Sequence, residues 1–87
     1  MKHQIKILEQ FADAVLDGSK NFEIRKNDRG YQKGDIVEFY PIYNDTKASM
    51  LSHPLRGRQF EITYVLQGWG LQEGYCVFGI KEVKGEG

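Results

Sequence analysis

Residues 20–33 concentrate the side chains best suited to binding an anion. Five lysines and arginines stand there against two acids, a net charge of +3, whereas residues 34–55 carry a net charge of −2. An arginine offers a planar fork of donors that fits a phosphate or a base edge, and a lysine offers a mobile point charge. Four cations are therefore candidates for phosphate or nucleobase recognition: Lys20, Arg25, Lys26 and Arg29. The alternative is a solvated strand face, whose exposed ion pairs contribute little, and composition alone favours it.

Glu23 lies among these cations and has two possible functions. Its carboxylate could accept hydrogen bonds from the amino group of cytosine, of guanine or of another ligand, or it could only orient Lys20 or Arg25. Strand alternation places Glu23 and Arg25 on one face, so that they can converge on one ligand. Lys20 falls on the opposite face of a regular strand, or lies in the turn that precedes it; the sequence supports both placements.

Aromatic side chains outside the core could stack on a base. Phe11, Phe60, Phe78 and Tyr64 lie on apolar faces and are predicted to be buried. The aromatic residues in or beside loops are Tyr31, Tyr40, Tyr43 and Trp69. Trp69, between two glycines, is the best stacking candidate, and the alternative interpretation is a lid packed over one end of the fold.

The remaining reactive side chains predict no metal, cofactor or disulfide. His3 and His53 have no carboxylate at ligand-like spacing, and Cys76 is the only cysteine. Cys76 alternates with apolar residues and is predicted to be a small core residue. A lone cysteine indicates a reducing compartment, and no apolar run approaches the roughly 20 residues of a membrane helix. We therefore expect a cytoplasmic protein without membrane contact.

Length and composition predict one small domain, residues 1–84, with a frayed tail at 85–87. The chain has 87 residues, of which 40% are hydrophobic and 28% charged, near ordinary globular values. Twelve basic residues balance twelve acidic ones. This balance argues against an overall cationic nucleic-acid binder and leaves a local site as the alternative.

The hydrophobic pattern predicts one helix and five strands. Leu8, Phe11, Ala12, Val15 and Leu16 form the apolar stripe of a helix that ends at Gly18. The predicted strands are 4–8, 21–26, 36–42, 58–67 and 75–83, and residues 43–57 are left without assigned structure. This order predicts a mostly β domain with one N-terminal helix (α+β) that closes into a small β-barrel. An open α+β sandwich is the alternative on pattern alone.

Residues 18–25, Gly-Ser-Lys-Asn-Phe-Glu-Ile-Arg, resemble the Gly-x-Lys-x-x-Glu-x-Arg signature of ASCH domains (activating signal cointegrator homology). The resemblance, to a compact bacterial and phage branch of unknown function, extends over nearly the whole chain. It is carried further by residues 26–29, 34–35, 63–66, 70–75 and 79–80. ASCH domains belong to the PUA-like β-barrel superfamily, whose best-understood members bind RNA. The resemblance therefore implies a small PUA-like barrel in which Lys20, Glu23 and Arg25 line a cleft beside the helix.

Two functions from different classes follow from this resemblance. The first, which we favour, is a non-catalytic module that binds single-stranded RNA or a modified nucleotide. The second is an amidohydrolase that removes an acyl group from an acylated cytosine. In such relatives the lysine acts with a threonine, where this chain has Glu23, and with a later glutamate. Only Lys20 carries over, so Lys20 and Glu23 are catalytic candidates under this alternative alone. A regulatory protein-binding domain is a third possibility.

Overall fold

A computed structural model of the chain describes residues 1–84, and the predicted frayed tail at 85–87 lies outside the described residues. The elements are β1 (Lys2–Leu8), α1 (Glu9–Leu16), β2 (Phe22–Lys26), β3 (Ile36–Ile42), β4 (Gln59–Gln67) and β5 (Tyr75–Glu82). The predicted mostly β, α+β domain is confirmed, with strand bounds that differ by no more than two residues. The helix of this part of the chain is not long and apolar enough to cross a membrane.

The strands form one curled sheet, a half-barrel with the order β1-β3-β4-β5-β2. β1 and β3 are parallel, and the other neighbours are antiparallel. β1 and β2 are the edge strands, so the backbone ladder does not close into the full barrel that was predicted. Side chains bridge this gap instead: Arg25 Nη2 donates to the carbonyl of Lys6, and Arg29 Nη1 donates to that of Gln4, each at 2.6 Å. Two of the residues predicted to bind an anion therefore also connect the two edges of the sheet by hydrogen bonds.

The helix packs its smaller apolar residues inward and ends just before Gly18, as the sequence predicts. Ala12 and Val15 are buried, whereas Phe11 is 43% exposed, so its predicted place in the core was wrong. Gly18 has φ +85° and its N–H donates to the carbonyl of Val15 at 3.2 Å. A left-handed residue at this position lets the chain turn away from the helix toward β2.

Gly18→Val is expected to lower the free energy of unfolding by about 1–2 kcal/mol through backbone strain. No atom lies within 4 Å of a Cβ placed at Gly18, so steric contact adds nothing to that loss. Urea denaturation measures the difference, and Gly18→Asn serves as the control because asparagine tolerates the left-handed region. Equal stability of the valine and asparagine variants would contradict this account of the helix end.

The inner face of the half-barrel holds the core. Phe60, Phe78 and Cys76 are buried there, as predicted. Tyr31 was predicted to be free for stacking, but it is 5% exposed and packs between His3 and Phe78, with ring centroids 4.7 and 4.8 Å apart. Its surrounding turn residues gave no sign that the 27–35 loop folds inward over the sheet.

A register shift in β4 explains a second wrong assignment. Ile62 pairs with Ile80, but Tyr64 pairs with Gly79, so Thr63 is an extra residue in the ladder. Such a bulge reverses the alternation downstream of it. Tyr64 consequently faces solvent and is 64% exposed, whereas Val65 packs against the core.

Candidate functional site

A cleft of about 720 Å³ opens between α1, β1 and β2, at the place where the sheet fails to close. Its walls are largely apolar, with Ile7 and Leu8 from β1, Phe11 from α1 and Phe22 from β2. Its charged lining residues are Lys6, Lys20, Glu23, Arg25 and Lys26. Three of the predicted site residues, Lys20, Glu23 and Arg25, are thus brought together here, and Lys26 joins them at the rim.

β2 is turned so that Glu23 and Arg25 face inward, whereas Phe22 and Ile24 face outward. Glu23 is 4% exposed, whereas Phe22 and Ile24 are 41% and 53% exposed. Register places Glu23 opposite the buried Phe78, and Arg25 opposite the buried Cys76. A strand normally buries its apolar side, because burying charge costs free energy unless the charge is paired. Core packing alone therefore does not account for the orientation of β2.

The buried carboxylate of Glu23 is paired on both oxygens. Oε1 forms an ion pair with Lys20 Nζ, and Oε2 accepts a hydrogen bond from Arg25 Nε at 2.8 Å. Lys20 Nζ also donates to the carbonyl of Phe22 at 2.7 Å. Lys20 belongs to the turn after the helix, since its own N–H donates to the carbonyl of Ala14 at 3.0 Å and β2 begins only at Phe22. The turn thereby frees Lys20 from strand alternation and brings it to the same side as Glu23.

The cleft keeps a positive charge despite its internal ion pairs. Four cations and one carboxylate line it, a net charge of +3. Lys6 and Lys26 are exposed at the rim, and neither forms an ion pair with a carboxylate within residues 1–84. An anionic group entering the cleft therefore meets two exposed ammonium groups at the rim, unpaired within residues 1–84, before it reaches the paired Lys20 and Arg25.

Two aromatic rings that were not predicted as site residues flank the lysine. Lys20 Nζ lies 5.6 Å from the centroid of Phe11 and 5.1 Å from that of Phe22, within cation–π range. Both rings are more than 40% exposed and line the cleft. The sequence pattern assigned Phe11 to the core because it falls on the apolar stripe. Phe11 instead lies at the cleft, where its ring is 43% exposed beside Lys20.

Arg29 and Trp69 lie outside the cleft lining. Arg29 bridges the sheet edges through Gln4, as described above. Trp69 is 89% exposed at the tip of the β4–β5 loop, so the alternative of a packed lid was wrong. Its φ of +53° is an unfavourable conformation for a bulky residue. An exposed, strained tryptophan remains available for contact with a ligand.

The polar side chains of the other clusters form hydrogen bonds within each cluster. Glu38 is 7% exposed and accepts hydrogen bonds from Tyr40, Gln59 and Gln4, which lower the pKa of its carboxyl to about 2. His53 accepts from the N–H of Leu55 through Nδ1 and meets Asp13 through Nε2, so neither ring nitrogen is left for catalysis. No group of three or more potential metal-ligating side chains occurs in the part of the chain that the structure describes.

Comparison with known proteins gives a family and one partial relative. The profile of a family described as "Domain of unknown function (DUF3850)" matches residues 2–80, so the chain belongs to that family. A relative from Escherichia phage P2, described as "Uncharacterized 12.9 kDa protein in GpA 3'region", is 46% identical over 35 residues. The aligned segment makes up 40% of this chain and 32% of the relative, about a third of the relative's length.

Proposed function

We propose that this member of the DUF3850 family binds single-stranded RNA, or a modified nucleotide, in the cleft around Glu23. The observation that carries the proposal is the buried carboxylate of Glu23, which Lys20 and Arg25 contact at the base of a cleft with a net charge of +3. Burying the Glu23 carboxylate together with two partly buried cations is costly and does little for stability in itself. A ligand that accepts hydrogen bonds from Lys20 and Arg25 would account for this arrangement of charges. We also propose the ASCH relationship and a cytoplasmic location as part of this account.

The dimensions and lining of the cleft fit a nucleotide. Its volume of about 720 Å³ lies within the range of small-molecule sites. Phe11 and Phe22 offer exposed ring surface on which a base can stack, for about 1–3 kcal/mol per base. Lys6 and Lys26 at the rim then meet the phosphates, while Lys20 and Arg25 are oriented toward the base or sugar.

Glu23 acts mainly as an orienting group in this proposal. Each of its oxygens already contacts a cation, which fixes the side chains of Lys20 and Arg25 before a ligand arrives. A carboxylate oxygen can accept more than one hydrogen bond, so an amino group of a base can still contact Glu23 from the open side of the cleft. Orientation and direct recognition are therefore compatible.

Binding is favoured over hydrolysis by the partners of Lys20. Its Nζ contacts both the Phe22 carbonyl and the Glu23 carboxylate, which leaves it poorly placed to attack or deprotonate a substrate. The amidohydrolase alternative also needs a later glutamate, and the candidates Glu61, Glu73 and Glu82 are not among the lining residues. Glu82 instead forms a bidentate pair with Arg58 at 2.6 Å.

Fluorescence anisotropy with short labelled RNAs tests the proposal. Two or three cationic contacts with a single strand predict a slope near −2 in log affinity against log salt concentration. Lys6→Ala combined with Lys26→Ala removes two exposed cations, so we expect a folded protein with at least tenfold weaker binding and a shallower slope. Lys33→Ala combined with Lys84→Ala is the matched control, because it removes the same charge from exposed positions outside the cleft. Absence of RNA binding by the wild type would overturn the proposal, and equal losses in both pairs would remove the cleft from it.

A further inference from the structure

The outer face of β2, β5 and β4 carries a continuous apolar surface. Cross-strand register places Phe22, Gly79 and Tyr64 in one row, Ile24, Val77 and Leu66 in the next, and Lys26 beside Tyr75 in a third. These positions alternate with the inward-facing Glu23 and Phe78, so they share the outer face. We call these three rows the outer apolar face. Phe22, Ile24 and Tyr64 are each between 41% and 64% exposed.

The other half of the outer sheet surface has the opposite character. Gln4, Glu38 and Gln59 form a cross-strand row on β1, β3 and β4, with the two amides donating to the carboxylate at 3.0 and 2.9 Å. Lys2, on the same face of β1, forms an ion pair with Glu38 at 3.2 Å. This half of the outer surface is thus polar, and its side chains form hydrogen bonds and ion pairs with one another. The exposed apolar side chains are therefore confined to the other half, as is typical of a binding surface.

The outer apolar face runs directly into the cleft. Phe22, Ile24, Lys26 and Tyr75 belong to the face and also line the cleft, because both surfaces meet around the edge strand β2. Phe22 and Ile24 therefore form an apolar edge that the cleft and the outer apolar face share. At the far end of the same hairpin, Trp69 stands 89% exposed in the β4–β5 loop.

The row of Phe22, Gly79 and Tyr64 places a threonine hydroxyl between two aromatic residues. A Cβ at Gly79 would lie 2.6 Å from Thr63 Oγ1, so the threonine hydroxyl occupies the space over this glycine. Phe22 and Tyr64 stand on either side, two strand spacings or about 10 Å apart at the backbone. Two rings around a hydroxyl group offer stacking to the face of a base and a hydrogen bond to its edge.

We infer that single-stranded RNA continues from the cleft onto the outer apolar face, where Phe22, Tyr64 and Trp69 stack successive bases. Exposed aromatic residues on a sheet, with lysines beside them, are the arrangement by which sheet surfaces bind single strands. Lys26 supplies a cation, since it projects from the outer face and forms no ion pair within the described residues, whereas Lys81 lies opposite Glu61 on the same face. The inference rests on the proposed function, and it predicts a site of roughly four or more nucleotides.

Binding of an oligoadenylate ladder of two, four and eight nucleotides tests this inference, with anisotropy and the fluorescence of the single tryptophan as readouts. We expect the octamer to bind at least tenfold more tightly than the dimer and to quench Trp69. Tyr64→Ala combined with Trp69→Ala should weaken octamer binding about tenfold or more, measured by anisotropy, and leave dimer binding unchanged. Tyr43→Ala, at an exposed aromatic residue outside the face, is the control.

The outcomes separate this inference from the proposed function. If the wild type binds the dinucleotide and the octanucleotide equally well, or if the double variant retains full affinity for the octanucleotide, RNA does not bind the outer apolar face, while binding in the cleft stands. If no oligonucleotide binds, both proposals fall. If sedimentation shows a wild-type dimer that the Tyr64→Ala and Trp69→Ala variant dissociates, the face is a self-association surface and the inference is overturned.

Discussion

Glu23→Ala is expected to lower the free energy of unfolding by about 3 kcal/mol. The substitution leaves Lys20 and Arg25 facing each other without the carboxylate that contacts both. Their side chains are only 15% and 27% exposed, so water replaces the lost partner incompletely. The expected loss lies at the low end of the range for a buried pair because the two cations are partly solvated. Urea denaturation at pH 7 measures it.

Two further variants make this result interpretable. Glu23→Gln keeps the shape and one acceptor, so a loss of about 1–2 kcal/mol is expected, and this variant remains measurable if alanine prevents folding. Glu73→Ala removes a carboxylate from an exposed loop and should change stability by less than about 0.5 kcal/mol. A Glu23→Ala variant as stable as Glu73→Ala would mean that the ion pairs of the cleft do not form in solution.

Glu38→Gln is expected to lower the free energy of unfolding at neutral pH by about 2 kcal/mol. The hydrogen bonds from Tyr40 and Gln59 stabilise the ionised form of Glu38 and lower its pKa from 4.5 to about 2. Because the pKa is lower in the folded state, this contribution is fully present above about pH 4.5 and is lost as the pH falls toward 2. The wild type and the variant should therefore differ most at neutral pH and converge near pH 2.

Urea denaturation at pH 7, 4, 3 and 2 tests the pH dependence. Other carboxyls also titrate in this window, including Asp35 and Glu82, whose pKa values are lowered by hydrogen bonds from His3 and Arg58. The informative quantity is therefore the difference between wild type and variant, with the exposed Glu61→Gln as the control. A difference that stays constant from pH 7 to pH 2 would contradict the account of Glu38.

The strands and the shared face of Glu23 and Arg25 could be predicted from sequence because they depend on local alternation, but alternation alone did not predict that this face turns inward. β3 has the predicted bounds, and the side chains of β2 follow the predicted parity. The exposure of Tyr64 could not be predicted, because the extra residue Thr63 is visible only in the pairing of β4 with β5. Alternation predicts a face only as far as the ladder stays in register.

The hydrogen bonds of Arg25 and Arg29 depend on the strand order of the sheet, so they could not be predicted from the sequence either. Arg25 and Arg29 bond to carbonyls of β1 only because β1 and β2 become the two edges of the curled sheet. Tyr31 is buried because its loop folds onto His3 and Phe78, which are distant in the chain. Each of these positions is fixed by a non-local neighbour, whereas the motif around Glu23 lies within eight residues.

The central claim is that nucleic acid binds in the cleft, and an NMR titration of ¹⁵N-labelled protein with a short oligoadenylate tests it most directly. We predict that the largest amide shift changes fall on residues 6–8 and 19–26, with saturation behaviour that Lys6→Ala combined with Lys26→Ala weakens. The smaller pocket of about 400 Å³, lined by Tyr43, Ser49, Met50 and His53 among others, should show no saturable change. Saturable changes confined to that pocket, or no saturable change in the cleft, would contradict the account.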